Sequence, residues 1–320
     1  MTKSTNSSES SKRGARTVTV RESETGQRLD NYLLKHLKGV PKSHIYRIIR
    51  DGQVRLNRGR SRPATRVKAG DDVRIPPLRL PQPRALNHAK ILLRLSECIL
   101  FEDDYLLVLN KPGGLSVHGG SGTVSGIIEA LRSERDTYLE LVHRLDKETS
   151  GCLLLAKQAN VLKTLHRQMR EPGPKPAIEK IYIALLVGRW RGGKRSLCQS
   201  LETIRDRSRQ KRSTINPQGR AALSLFAPIA RYPAHTLVSV QLFTGRLHQI
   251  RVHAAGSGYP VAGDRIYGNK ENNRVLRGLG LRRQFLHASR LALIHPVAGR
   301  RLQFEAPLPQ ELAALLKKIQ

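Results

Sequence analysis

The sequence has few cysteines, few aromatic residues and no long apolar run. Its three cysteines, Cys98, Cys152 and Cys198, include no C-x-x-C pair, which argues against a disulfide framework and against structural zinc. Aromatic residues make up only 4% of the chain, which argues against a broad aromatic platform for stacking a ligand. No apolar stretch approaches the ~20 residues that a bilayer requires, and the N-terminus lacks the apolar segment of a signal peptide. We therefore expect a cytoplasmic protein with no membrane partner.

Acidic residues are also scarce. The 320 residues contain 57 Lys and Arg against 25 Asp and Glu, a formal net charge of +32. This excess predicts a polyanionic partner, and nucleic acid is the first candidate. A basic membrane-surface protein is the rival class, but it requires an amphipathic helix or a lipidation signal, and neither is evident. The length suffices for two domains.

The first part of the chain predicts a small basic domain. Residues 1–16 have the composition of a disordered tail, and residues 17–77 contain two amphipathic helical patterns and short strand patterns. Between Arg55 and Lys68 there are six basic residues and no acid. The runs Gly26–Asp30, Pro41–Ser43 and Arg50–Val54, with Asn57 and Gly70-Asp71, resemble an S4 RNA-binding domain. The resemblance implies that RNA is bound by basic residues, for which we select Arg55, Arg58, Arg60 and Arg62. A basic surface with no partner is the alternative.

A second, larger domain is expected after a Pro-rich linker at residues 78–95. Residues 96–320 contain many short strand patterns, scattered helical patterns and no regular alternation of the two. This arrangement predicts an α+β domain with a mixed, mainly antiparallel sheet.

Most kinds of catalytic site can be set aside on spacing. His248 and His253 are not four residues apart and have no accompanying Glu, so they do not match a helical zinc site. The segment Gly120-Ser121-Gly122 is not the G-x-S-x-G of a serine hydrolase. The remaining candidate is Asp146, which lies between Arg144 and Lys147 just before the apolar run Cys152–Ala156. On its own, Asp146 is more simply explained as an acid in a surface cluster of charges.

Five motifs resemble the RluA family of pseudouridine synthases. In chain order they are Asn110-Lys111-Pro112, His143–Gly151, Lys180–Leu185, Gly245–His253 and Gly263–Gly268. This is also their order in the family. Within the family, the likeness is greatest to members that modify 23S ribosomal RNA. Leu247 departs from the pattern, because the family usually has Thr there, so a polar contact is in doubt.

The resemblance implies a role for each matching residue. Asp146 would be the essential carboxylate that converts a flipped-out uridine into pseudouridine, either as a nucleophile or as a base. Arg246 would be its ion-pair partner, and Tyr182 would stack on the base. Arg144 would fill the space that the uridine leaves, and Ile250 and Leu286 would line the pocket. Implied partners are 23S ribosomal RNA or its large-subunit precursor, with several target uridines. No cofactor or metal is implied, and a monomer is expected.

Two other functions remain as alternatives. A non-catalytic RNA-binding or ribosome-assembly protein would explain the charge and the S4-like domain but not Asp146, Tyr182 and Arg246. A glycosylase or nuclease would require a second carboxylate or a metal, and Glu148 is too near in sequence to be a convincing partner.

Overall fold

A computed structural model describes residues 15–37, 40, 42–77, 91–92, 94–119, 126–135, 137–170, 176–206 and 210–320. The chain forms two compact units, Met1–Gln82 and Pro83–Gln320. Most of the predicted tail and residues 78–90 of the predicted linker lie outside the described residues. Residues 91–92 and 94–95 are helical, so regular structure begins before residue 96, where the larger domain was expected to start.

The N-terminal unit is a three-stranded antiparallel sheet with two helices. The strands β1 (Arg16–Thr19), β2 (Arg55–Leu56) and β3 (Asp72–Ile75) are arranged in the order β1-β3-β2. Helices α1 (Leu29–His36) and α2 (Lys42–Arg50) bury the apolar faces that their sequence spacing predicts. The residues of these faces are at most 2% exposed: Leu29, Tyr32, Leu33, Ile45, Ile48 and Ile49.

The C-terminal unit is built on a ten-stranded sheet. Its strands are β4 (Ile99–Glu102), β5 (Leu106–Lys111), β6 (Glu140–Leu141), β7 (Ser150–Ala156), β8 (Ile178–Val187), β9 (Arg195–Cys198), β12 (Leu223–Arg231), β13 (His235–Leu242), β14 (Leu286–Ile294) and β15 (Arg301–Glu305). Its central path has the order β4-β5-β7-β14-β8-β13-β12-β9, with β6 beside β7 and β15 beside β14. A separate hairpin joins β10 (Leu201–Arg205) to β11 (Lys211–Ile215).

Strands β7 and β14 are parallel, and every other pair of neighbours in this sheet is antiparallel. The prediction of an α+β fold with a mainly antiparallel mixed sheet is therefore confirmed. The parallel pair approaches closely at Gly151, where φ is +107° and an added Cβ would lie 2.1 Å from the Ala288 carbonyl oxygen. Only glycine fits this position without displacing backbone, which explains the glycine that ends the motif around Asp146.

Helices cover both faces of the sheet. Leu107 and Leu109 of β5 belong to a core that includes α3 (Ile127–Glu134) and α5 (Gln249–Gly256). The alternate residues of β5 pack on the opposite side with α4 (Ala159–Gln168). A third core contains α6 (Lys270–Gly278) and α7 (Gln310–Lys318). No described helix has the length and apolar character needed to cross a membrane.

Candidate active site

Asp146 lies on the loop between β6 and β7. Strand β7 is buried along its whole length, which gives the loop a rigid support. The buried Lys111 ammonium donates to the carbonyl oxygens of Pro112, Leu115 and Lys147 at 3.0, 2.8 and 3.1 Å. Burial lowers the pKa of Lys111 to about 7, whereas three acceptors favour its charged form. The Asn110-Lys111-Pro112 motif therefore holds the chain directly after Asp146.

A buried polar network supports the other end of the same loop. Arg283 Nη2 donates to Ser150 Oγ at 3.0 Å, and Arg283 Nη1 donates to the Glu148 carbonyl at 2.9 Å. His287 Nε2 lies 3.0 Å from the Ala306 carbonyl, so this nitrogen carries the proton. His287 Nδ1 must then accept from Ser150 Oγ at 2.9 Å. The loop of Asp146 is thus fixed at its backbone on both sides.

Asp146 forms an ion pair with Arg251. Arg251 Nη1 donates to Asp146 Oδ2 at 2.8 Å, while its Nε and Nη2 donate to both carboxylate oxygens of Asp264 at 2.6 and 2.8 Å. Asp264 is fully buried, and Arg251 is 5% exposed. Burial opposes the charge of Arg251, but the two carboxylates together raise its pKa. Asp264 therefore fixes the guanidinium that forms the ion pair with Asp146.

The prediction that Arg246 is the ion-pair partner of Asp146 is wrong. Arg246 Nε donates to the Ala221 carbonyl at 3.1 Å, and its backbone N–H donates to Gln249 Oε1. Arg246 precedes helix α5, whereas Arg251 lies within it on a face that is buried. A left-handed residue, His248 with φ +53°, separates the two arginines and redirects the chain. Both arginines belong to the Gly245–His253 motif, so the motif was right and the residue was not.

A cavity of about 320 Å³ adjoins Asp146. All the residues that were predicted for this part of the site line it: Arg144, Asp146, Tyr182, Arg246, Ile250 and Leu286. Arg144 is exposed, while Tyr182, Ile250 and Leu286 are at most 6% exposed. Leu247 also lines the cavity, so the position where the family usually has Thr contributes an apolar wall here.

Tyr182 lies on β8 and keeps its proton at neutral pH. Burial raises the pKa of its hydroxyl, and the negative charge of Asp146 raises it further. Because the phenol ring of Tyr182 is neutral, it can stack on a planar ligand in this cavity and does not repel that ligand electrostatically.

His248 is a neighbour of Asp146 to which the sequence reasoning gave no role. Its Nε2 lies 3.8 Å from Asp146 Oδ2, and its Nδ1 lies 2.9 Å from the Tyr267 hydroxyl. That hydroxyl also accepts from the Ser213 N–H at 2.8 Å. Burial lowers the pKa of the His248 ring, which favours its neutral form.

A second, larger cleft of about 810 Å³ also borders Asp146. His118 and Gly119 line it together with Arg144 and Asp146. Gly119 therefore borders this cleft, and the Gly120-Ser121-Gly122 segment that follows it lies outside the described residues. Within the described ranges, no group of three or more His, Cys, Asp or Glu side chains could hold a metal ion.

In the N-terminal unit, the four arginines selected for RNA binding lie close together in the chain. Arg58, Arg60 and Arg62 are exposed, and Arg55 in β2 is partly exposed. Among the described residues, none of the four forms an ion pair. Their charges are therefore available to phosphate groups.

Comparison with known proteins agrees with both units. The sequence profile of the S4 domain matches residues 27–73, and that of RNA pseudouridylate synthase matches residues 105–256. The chain is 45% identical over 308 residues to "Ribosomal large subunit pseudouridine synthase C" of Haemophilus influenzae, an alignment that covers 94% of each chain. The chain belongs to the RNA pseudouridylate synthase family. Its organisation is an S4 domain followed by a pseudouridine synthase domain.

A second relative supports the same assignment, and a solved structure has the same fold. The protein of the same name from Escherichia coli K12 is 44% identical over 309 residues, covering 94% of this chain and 96% of that one. Among solved structures, human RNA Pseudouridylate Synthase Domain Containing 4 superposes with a TM-score of 0.57 at 24% identity. The superposition covers 73% of this chain and 97% of the human protein, and it shows a likeness of fold.

Proposed function

We propose that this pseudouridine synthase acts on 23S ribosomal RNA or its large-subunit precursor, converting several uridines, with Asp146 as the reacting carboxylate. The observation that carries the proposal is the cavity that Asp146 shares with Tyr182 and two apolar residues, Ile250 and Leu286. Two further points support it. Its relatives at about 45% identity are named for the large ribosomal subunit, and its formal net charge of +32 suits a polyanionic substrate.

The reaction is an isomerisation of one nucleotide. The bond from ribose C1′ to N1 of the base breaks, the base turns, and a bond from C1′ to C5 forms, while C5 loses a proton and N1 gains one. Asp146 acts as a nucleophile on the ribose or as a base, and either role requires its ionised form. Arg251 Nη1 donates to Asp146 Oδ2 at 2.8 Å and holds the carboxylate in place. Because Arg251 uses only Oδ2, Asp146 Oδ1 has no hydrogen bond within the described residues and is available to the substrate.

The remaining residues would bind and enclose the nucleotide. The reaction requires the uridine to leave its stack, since both the glycosidic bond and C5 must be reached. Arg144, exposed beside Asp146, is suited to occupy the vacated space. Tyr182, Ile250 and Leu286 would contact the base, which excludes water from the bond that is broken.

The purified protein is expected to form pseudouridine in a 23S rRNA transcript, mapped by chemical modification and sequencing. A 16S rRNA transcript serves as the matched control. The same uridines should be unmodified in cells that lack the gene and modified again when it is restored. If cells without the gene keep every 23S rRNA pseudouridine, and the purified protein is inactive on the 23S transcript, the proposed substrate is wrong.

The arginines of the S4 domain are expected to account for part of the salt dependence of RNA binding. Replacing Arg55, Arg58, Arg60 and Arg62 with Gln should weaken binding at low salt. Each lost phosphate contact reduces the magnitude of the slope of log affinity against log salt by about 0.7–0.9, so the loss of four contacts should reduce it by up to ~3.6. The matched control removes the same charge from exposed positions of the other unit: Lys270, Arg274, Arg277 and Lys317. Filter binding over a salt series measures both variants, and equal slopes for the two would refute the assignment.

A further inference from the structure

Lys180 shares the cavity with Asp146 and Tyr182 but has had no role so far. It lies on β8 two residues before Tyr182, and alternate residues of a strand point to the same face. Lys180 is 7% exposed, and it lines the cavity. Its Nζ lies 4.0 Å from the position that a Cβ at Gly245 would occupy, at the turn after β13. The side chain of Lys180 is therefore part of the wall of the cavity.

Lys180 differs from the other buried cations of this unit in having no partner. Arg251 binds two carboxylates, Arg283 binds Glu311, and Lys111 donates to three carbonyl oxygens. Over the described ranges of the chain, Lys180 Nζ has neither a hydrogen bond nor a carboxylate within 4.0 Å. Its neighbour across the sheet is the apolar Leu291. A polar partner for this ammonium must come from outside the described residues.

An unpaired ammonium at this depth is unfavourable for folding. Transfer of a charge from water to a protein interior is costly unless a partner compensates it. Burial alone lowers the pKa of Lys180 to about 8, and its charge contributes to lowering the pKa of the adjacent His143. Lys180 still carries its proton for most of the time at neutral pH. A residue that lowers stability in this way is typical of a functional site, where the ligand supplies the missing partner.

We propose that Lys180 is a substrate-binding residue whose ammonium donates to an oxygen of the flipped-out uridine nucleotide. The proposal rests on the proposed function, since the cavity must receive a nucleotide. The acceptor is either a carbonyl oxygen of uracil or an oxygen of an adjoining phosphate, since both accept a hydrogen bond from an ammonium. The location beside Tyr182 makes Lys180 a contact of the same nucleotide that Asp146 attacks or deprotonates.

The first test compares Lys180→Met with Lys163→Met. Both changes remove one positive charge, and Lys163 is an exposed residue of α4. Lys180→Met should lose about 10- to 100-fold in kcat/KM, the usual effect of losing a hydrogen bond to a charged group. Lys163→Met should match the wild type. The thermal midpoint of Lys180→Met should be unchanged or higher, because methionine relieves an unpaired buried charge. A lower midpoint with unchanged kcat/KM would identify a structural lysine and overturn the proposal.

The second test identifies the acceptor with modified RNA. One set of substrates carries 2-thiouridine or 4-thiouridine at the target position, and the other carries a neutral methylphosphonate on either side of it. The substitution that removes the true acceptor should impair the wild type but not add to the effect of Lys180→Met. If the effect of every RNA substitution simply adds to the effect of Lys180→Met, Lys180 makes no direct contact with these oxygens, and the proposal is wrong. Wild-type activity on unmodified RNA is the reference: its absence would refute the proposed function instead.

Discussion

We expect Asp146→Ala to abolish pseudouridine formation while RNA affinity stays within about threefold of the wild type. Asp146 is the only acid among the described residues that line the cavity. No neighbouring carboxylate can therefore take its place as nucleophile or base. Removal of a reacting group of this kind costs at least ~10³-fold in rate. A single-turnover assay on 23S rRNA measures the chemistry, and filter binding measures affinity.

Two further variants make this result specific to the carboxylate. Asp146→Asn keeps the shape of the side chain and removes its charge, so it should be as inactive as Asp146→Ala. Glu148→Gln removes a charge from the same loop. Within the described residues the Glu148 carboxylate forms no hydrogen bond or ion pair, whereas its backbone carbonyl accepts from Arg283. This variant should retain activity near that of the wild type. Substantial activity in Asp146→Asn would show that ionisation of this residue is not required.

The sequence sufficed to predict the elements and the main lining residues of the cavity. Strand β7 follows from an uninterrupted apolar run, and α1 and α2 follow from their helical spacing. Asp146 emerged by exclusion of other catalytic groups and from its motif. Tyr182 and Ile250 lie in two other motifs, Leu286 lies outside the five motifs, and the fold brings all of them to the same cavity.

The partner of Asp146 could not be predicted, because it depends on geometry that spacing does not determine. Two arginines, Arg246 and Arg251, flank a turn whose direction is fixed by the left-handed conformation of His248. No local rule anticipates that conformation in a non-glycine residue. One signal was available: Arg251 lies between Ile250 and Val252 in a helix that buries most of its residues. A charge in such a helix requires a buried partner, which is Asp264 of the Gly263–Gly268 motif.

We expect Arg251→Met to destabilise the synthase domain and to abolish its activity. The change leaves Asp264 fully buried with no cation, and breaking a buried ion pair costs about 3–5 kcal/mol. It also removes the donor to Asp146 at 2.8 Å. Arg246→Met is the matched control from the same motif. It should cost about 1 kcal/mol or less in stability, because Arg246 forms no ion pair within the described part of the chain.

A double variant separates the effect on stability from the effect on catalysis. Arg251→Met combined with Asp264→Asn removes both buried charges and should recover part of the lost stability. It should remain inactive, because Asp146 still lacks its cation. The single tryptophan, Trp190, is 2% exposed in this unit, so its fluorescence during urea unfolding reports on the synthase domain. If Arg251→Met were as stable and as active as Arg246→Met, Arg251 would not be the residue that holds Asp146.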